Sequence, residues 1–270
     1  MKRIMTLTLT LIFSVNAHAY TLNKVAQAGA RWKNFPIDMK LNPENSGLSS
    51  SEVLRVISSA MNKWNDGTGT DVYDTYIDSS VSPSEGMDAD GISAVTFSKS
   101  FRNDSNGFDP DVTVAVGGQY GDGSEMSDGF VIFNAEAVAW DTDEERSTTG
   151  GNLYRDDLQT IATHELGHVL GLGHSDDNAS VMSATRTAKI KRDLASDDIS
   201  GGKYLASASG PSGSGLDGSS YSGGSSAAGC GSVGNVNTTG GNMGGMAMMI
   251  LLPMMGLLFA RRRIAIMIEQ

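Results

Sequence analysis

Three histidines and a glutamate fall within one stretch of this chain, His164-Glu165-Leu166-Gly167-His168-Val169-Leu170-Gly171-Leu172-Gly173-His174. On a helix, residues four apart share a face and lie one turn apart, so His164 and His168 can offer two imidazoles to one metal ion. Glu165 sits beside them and can face a metal-held water without being a ligand, the position of a general base. His174 cannot belong to the same helix. Ten more helical residues would carry it about 15 Å from His164, whereas two ligands of one zinc, each at about 2.1 Å, approach to within roughly 4 Å. The chain must therefore turn back. Gly171 is placed for that turn, because a glycine just past a helix end takes a positive φ at little cost. Of the four histidines in the chain, His18 lies in an N-terminal apolar segment and the other three all fall here, which argues against unrelated core histidines.

Both ends differ from ordinary globular sequence. Residues 1–19 have a basic start (Lys2, Arg3), an apolar run from Leu7 to Val15 and the small-x-small pattern Ala17-His18-Ala19. They predict a secretory signal peptide cut before Tyr20. Residues 207–245 are dominated by Gly, Ser, Ala, Asn and Thr, which cannot bury enough apolar surface to fold and predict a disordered linker. An apolar segment from Met246 to Ala260 follows, closed by Arg261-Arg262-Arg263. Residues 246–263 match the shortest membrane spans, and the arginines predict that residues 264–270 are cytoplasmic. Cys230 is the only cysteine, so no intrachain disulfide is available.

The formal net charge is -11. Without its basic ends the chain holds about twice as many acidic as basic side chains, which disfavours nucleic acid and anionic membrane surfaces as partners. Two acidic groups could hold Ca2+: Asp104, Asn106, Asp109 and Asp111, and separately Asp122 and Asp128. Solvated acidic turns are the alternative reading of both.

The folded unit that must position the histidines is expected over residues 20–206, a usual single-domain size. Phe35, Ile37, Met39 and Leu41 alternate as in a half-buried strand over residues 31–41. Ser49 and Glu52 make a capping-box pattern ahead of Val53, Ile57, Ala60, Met61 and Trp64, which predicts a helix over residues 50–65 ended by Gly67 and Gly69. Strands are predicted over residues 71–78, 91–98, 111–120 and 130–134, with loops over 82–90 and 141–151. Asp156 and Asp157 suit the positive end of the histidine helix. A closing helix runs from about Leu194 to Leu205, with Ser196 or Asp197 able to cap it.

At every fixed position, His164 to His174 resembles the metzincin zinc-peptidase signature H-E-x-x-H-x-x-G-x-x-H, and Ser175 resembles the matrixin branch. The resemblance implies an α+β catalytic domain: a twisted mixed five-stranded sheet, three helices, and a zinc cleft along the edge strand. It implies catalytic Zn2+ on His164, His168 and His174, with Glu165 as base. Met182, eight residues past His174, matches the methionine that forms an apolar floor beneath the metal. Asn134 matches an asparagine that often ends a matrixin strand. The segment bearing Val112, Val114 and Val116 matches the edge strand to which an extended peptide substrate adds. Two features depart from the pattern. No further histidines remain for a second, structural zinc, and the few residues ahead of the first strand leave no room for a cysteine-bearing propeptide.

Glycine-rich linker, short span and arginine cluster together resemble the C-terminal sorting signals of Gram-negative bacteria, of the GlyGly-CTERM or MYXO-CTERM kind. This implies export machinery and a tail-processing membrane protease as partners, with the protein at the cell surface or outside it and anchored, transiently or stably, in the inner membrane. Cys230 is either lipid-modified in that process or a passive thiol. The expected function is a secreted or surface-displayed zinc endopeptidase. The alternative is a surface binding or structural protein whose zinc stabilises the fold, against which stands Glu165, a base that a structural site does not need.

Overall fold

Main-chain pairing among short apolar strands sets the frame that carries the histidines. In a computed structural model, residues 20–83, 85, 87, 89–122, 124–143, 155–184, 190–207 and 226–229 are described. The expected signal peptide, the 246–263 span with its cytoplasmic tail, and most of the 207–245 linker lie outside these residues. Among the described residues no helix is long and apolar enough to cross a membrane.

The strands in chain order are β1 (Arg31–Trp32), β2 (Ile37–Leu41), β3 (Tyr73–Ile77), β4 (Ala94–Ser98), β5 (Ala115–Gly121), β6 (Glu125–Asn134), β7 (Ala139–Asp141), β8 (Arg155–Asp157) and β9 (Ser226–Gly229). The main sheet has the order β3-β2-β4-β6-β5-β9, with β1 pairing β6 off that path. β2 runs parallel to β3 and β4, and β4 runs parallel to β6. β5 is antiparallel to β6, with a register shift between Gln119 and Gly121. The five expected strands thus form the mixed sheet, with β1 and β9 added to it. The single strand expected over residues 31–41 is two, because the chain bends between Trp32 and Ile37 and its halves pair with different neighbours. The strand expected over 111–120 starts at Ala115, the preceding residues being turn. β9 lies within the segment expected to be a linker: main-chain pairing to β5 needs no apolar burial, so Ser-Ala-Ala-Gly can form it. β7 and β8, which flank the expected 141–151 loop, make a separate parallel pair that the sequence did not predict.

Three longer helices cover the sheet as expected: α2 (Ser50–Thr68), α4 (Leu158–Leu170) and α5 (Ser196–Ser207). Single turns α1 (Lys24–Gln27) and α3 (Phe101–Asp104) complete the described set. The capping box of α2 is formed in both directions: Ser49 accepts from the Glu52 N–H, and Glu52 accepts from the Ser49 N–H at 3.1 Å. The helix outlasts its expected end by three residues. It stops at Gly69, whose φ of 73° is open to glycine, while Gly67 stays helical and admits Leu194 against its backbone.

The main core lies between sheet and helices, around Met39, Leu41, Ile57, Trp64, Phe97, Phe133, Leu158 and Leu166. A smaller cluster of Phe101, Val116, Phe130 and Ile132 fills the other face of the sheet. Three buried side chains from different elements donate to carbonyls along one face of α4. Trp64 reaches Thr163 at 2.9 Å, Tyr73 reaches Leu166 at 2.5 Å, and Trp32 reaches Val169 at 2.9 Å. Spacing by three residues keeps those carbonyls on one side of the helix, so sheet and α2 grip α4 along its length. Removing the α2 cap with Ser49→Ala, remote from the histidines, is expected to cost about 1 kcal/mol in denaturant unfolding while leaving zinc content unchanged.

Candidate active site

Helix α4 begins on a strong cap. Asp157 accepts from the Thr160 N–H at 2.8 Å and is paired with the Arg192 guanidinium, whose Nε lies at 3.0 Å. Of the two aspartates expected at this end, Asp157 is the cap, while Asp156 lies in β8. The helix ends at Gly171, which has a φ of 123°. Its N–H bonds Gly167 and His168 carbonyls, and Leu172 N–H returns to Gly167 at 2.9 Å. The expected turn-back is therefore present, and it brings His174 to the first two histidines.

One ligand nitrogen from each of His164, His168 and His174 lies within 4.8 Å of the others. Nε2 of His164 and Nε2 of His168 are 3.1 Å apart, close to the roughly 3.4 Å that two tetrahedral zinc ligands require. Their outer nitrogens are engaged: His164 Nδ1 with the Val181 carbonyl at 2.7 Å, and His168 Nδ1 with the Leu172 carbonyl at 2.8 Å. A carbonyl can only accept, so each Nδ1 carries the proton and each Nε2 presents its lone pair to the cluster. Burial pushes the pKa of His164 down to about 4, and burial likewise lowers those of His168 and His174. Neutral rings with convergent lone pairs fit a zinc ion.

Glu165 is buried beside them, and burial raises its carboxyl to about 8, opposed by the backbone N–H of Gly117 in β5. Its Oε2 has no hydrogen-bond partner. A dication on the histidines would pull the carboxyl back toward its ionised form. Gly117 makes the contact possible, because a Cβ there would stand 2.6 Å from the Glu165 carbonyl oxygen. Gly167 does the same on the opposite side, where a Cβ would stand 2.2 Å from Met182 Sδ. Met182 is thereby packed directly under the helix between the two ligands. Ser175 N–H donates to the Met182 carbonyl at 2.8 Å, tying this methionine turn to the residue after His174.

Asp198 holds the methionine turn. It is fully buried in α5 and accepts from Val181 N–H at 2.9 Å, Met182 N–H at 3.3 Å, Ala195 N–H at 2.8 Å and the Ser180 hydroxyl. The acceptor at the start of α5 is therefore Asp198, one position beyond the expected pair, while Asp197 takes the Ser175 hydroxyl at 2.6 Å. On the other flank, Thr21 and Leu22 pair with the segment from Leu172 to His174. The Asn23 amide bonds the Gln119 amide at 3.1 Å and the His168 carbonyl at 3.1 Å, joining β5 to the end of α4.

The other expected site residues divide. Val116 lies in β5, buried against Phe130 and Ile132, whereas Val112 and Val114 precede the strand and Val112 is 80% exposed. Asp104 accepts from Ser98, and Asp109 pairs with Arg102 at 2.8 Å and accepts from the Asp111 N–H at 3.1 Å. Asn106 takes a φ of 60° in the turn between them. Asp104, Asp109 and Asp111 form no convergent ligand group; among the described residues the three histidines do. Asp122 closes the β5–β6 turn by accepting from Ser124 and Glu125 N–H groups, bonds that lower its pKa to about 2. Asn134 ends β6 and ties the approach to β5 through the Pro110 and Thr113 carbonyls. Gly117, Gly167, Asn23, Gln119 and Asp198 escaped the sequence reading. Only Gly167 left a signal, since a glycine inside a helix costs about 1 kcal/mol against alanine and needs a packing reason.

This order of strands, with the histidine helix packed across it and an antiparallel strand along Glu165, is that of a metzincin catalytic domain. Residues 31–206 match the matrixin peptidase family, and the chain belongs to that family. Metalloendoproteinase 2-MMP of Arabidopsis thaliana is 50% identical over 54 residues, covering 20% of this chain and 14% of that protein. Stromelysin-3 of Xenopus laevis is 28% identical over 186 residues, 68% of this chain and 34% of that protein. Matrix metalloproteinase-16 of Mus musculus is 27% identical over 186 residues, 66% of this chain and 28% of that protein. The chain thus spans about a third or less of the length of these relatives.

Two outcomes follow from the site. Asp198→Ala strands several buried donors at once, so unfolding stability should fall by about 3 kcal/mol and zinc should bind more weakly, measured by denaturant titration and metal competition. In metal-free protein the folded histidine pKa lies below its unfolded value of about 6.5. The unfolded chain then binds the extra proton, so stability present above pH 6.5 is lost as pH falls toward 4. Glu165, raised to about 8, works the other way, because there the folded chain binds the extra proton. Three lowered histidines outweigh one carboxyl, so the melting temperature of chelated protein should still drop by about 3 °C between pH 7 and pH 5, while the zinc-loaded form holds its value further down.

Proposed function

We propose that the chain is an exported zinc endopeptidase that hydrolyses extended polypeptides. The observation that carries this reading is Glu165: a buried carboxylate with one oxygen held by Gly117 N–H and the other, Oε2, unpartnered beside three convergent imidazoles. A site that only stabilises a fold has no use for it. Zinc on His164, His168 and His174 would acidify a water and polarise the scissile carbonyl. With the metal bound, Glu165 would accept a proton on Oε2 from the attacking water and return it to the departing amine. Gly117 N–H keeps the carboxylate turned toward the cluster throughout. β5, whose inner edge pairs with β6, offers its outer main-chain groups to an extended substrate as an added strand.

Export is supported by the basic-apolar-small pattern of residues 1–19 and the apolar-arginine pattern of residues 246–263. On this reading export machinery and a tail-processing membrane protease are partners, and the protein works at the cell surface or beyond it. The acidic surface suits that setting.

Glu165→Gln should retain one zinc per chain and lose hydrolysis of a peptide library by about 10²- to 10⁴-fold, measured by mass spectrometry with and without chelator. Full activity in the zinc-loaded variant would remove Glu165 from the mechanism. A purely structural site would show zinc in both proteins and cleavage in neither.

A further inference from the structure

The outer edge of β5 is already paired. Residues 226–229, far along the chain from the catalytic domain's last helix, run antiparallel to β5 in the register Gly118↔Gly229, Gln119↔Ala228, Tyr120↔Ala227 and Gly121↔Ser226. This strand ends the sheet. Its direction places Ser226 at the far end of β5 and Gly229 at the end nearest the site, because Gly118 adjoins Gly117, the residue whose N–H holds Glu165. An extended peptide entering beside Glu165 has to use these same main-chain groups. We propose that Ser226–Gly229 is a tethered occupant of the substrate edge, so that the chain's own tail competes with extended substrates for β5. The proposal rests on the reading of β5 as the strand to which substrate adds.

Chemistry favours this occupant. An unpaired strand edge presents a row of N–H and C=O groups that bind whichever extended segment is locally most concentrated. A segment of the same chain is held at an effective concentration of about 1 mM, so modest intrinsic affinity suffices. Ser-Ala-Ala-Gly brings small residues and no proline, so each of its residues can take part in a ladder without needing a side-chain pocket. Small residues add little to the main-chain bonds of such a strand, which leaves it displaceable by a substrate with larger side chains.

The test uses the zinc-loaded full chain carrying Glu165→Gln, which removes cleavage of both probe and tail, with and without the further pair Ala227→Pro and Ala228→Pro. Proline has no N–H to donate and breaks the added strand. Two readouts are compared: amide hydrogen exchange at Gly118 to Gly121, and affinity for a dye-labelled synthetic peptide copying residues 224–231. We expect faster exchange and about threefold to tenfold tighter peptide binding in the double-proline protein. Unchanged exchange shows that the tail is not on β5 and overturns the proposal. Faster exchange with unchanged peptide affinity shows docking without competition and overturns it equally. Neither readout depends on hydrolysis: absence of cleavage by the Glu165-containing chain would defeat the peptidase reading while leaving the tail's competition for β5 measured.

Discussion

Convergence of three imidazoles on one point requires helix α4 to be approached at backbone contact distance from two opposite sides, and the rest of the structure depends on that constraint. Above the helix, β5 comes close enough at Gly117 for a main-chain N–H to reach the Glu165 carboxylate. Below it, Gly167 admits the Met182 thioether into the space a side chain would fill. A single methyl at either position would lie inside van der Waals contact, and close-packed interiors relax only partly. The helix is then locked by Trp64, Tyr73 and Trp32, whose donors fall on successive turns. Rigid elements hold a site better than loops do, and here even the ligand outside the helix is pinned, by Thr21 on one side and the methionine turn on the other.

Burial gives the site its electrostatic character. Removing three imidazoles and a carboxylate from water disfavours every charged form: the histidines stay neutral and the glutamate is pushed up to about 8. Both shifts favour the same event. Neutral imidazoles are the form that binds a metal, and a bound dication turns the destabilised glutamate into a stabilised carboxylate. The site is therefore preorganised for a cation by desolvation as much as by geometry. Val181 and Leu172 carbonyls add the remaining element by choosing the tautomer that aims each Nε2 inward.

How much of this was legible in the sequence depends on the range of each constraint. The three-histidine cluster, the glutamate beside it and the turn at Gly171 were legible because they follow from helical spacing within eleven residues. Strand alternation around Ile37, Met39 and Leu41 and the Ser49–Glu52 box were legible for the same reason, each being local. Asp198 was not, since nothing near it in sequence says that an aspartate in a helix's first turn, besides accepting from the nearby Ala195 N–H, will serve three donors from the Ser180–Met182 turn. The Asn23–Gln119 amide pair joins residues far apart in the chain and has no spacing signature. Val112 and Val114 were placed on a strand by the punctuation of Pro110 and Gly121 and by the family resemblance, but β-branched residues also fit a turn, and Asp109 closes that turn by accepting from Val112 and Thr113 N–H groups at its carbonyl. Composition also gave no sign of β9. It measures whether a segment can bury apolar surface, and an added strand is held by main-chain bonds that composition does not report.

That last point bears on the proposed role of β5 as a substrate edge. On that proposal substrate addition needs β5 unpaired, yet an unpaired edge is also a template for aggregation. Charges or a covering loop manage that liability in many proteins, but charges along β5 would obstruct the substrate. Covering the edge with a weak strand of the same chain meets both demands. Gly117 and Gly118 keep β5 free of side chains where the approach to Glu165 is tightest, and the register shift between Gln119 and Gly121 ends regular pairing with β6 a few residues further on. The length of edge left to share is short, which keeps the covering strand weak. A longer or more apolar segment would bind too firmly to give way, so the small residues of β9 suit a strand that must be replaced.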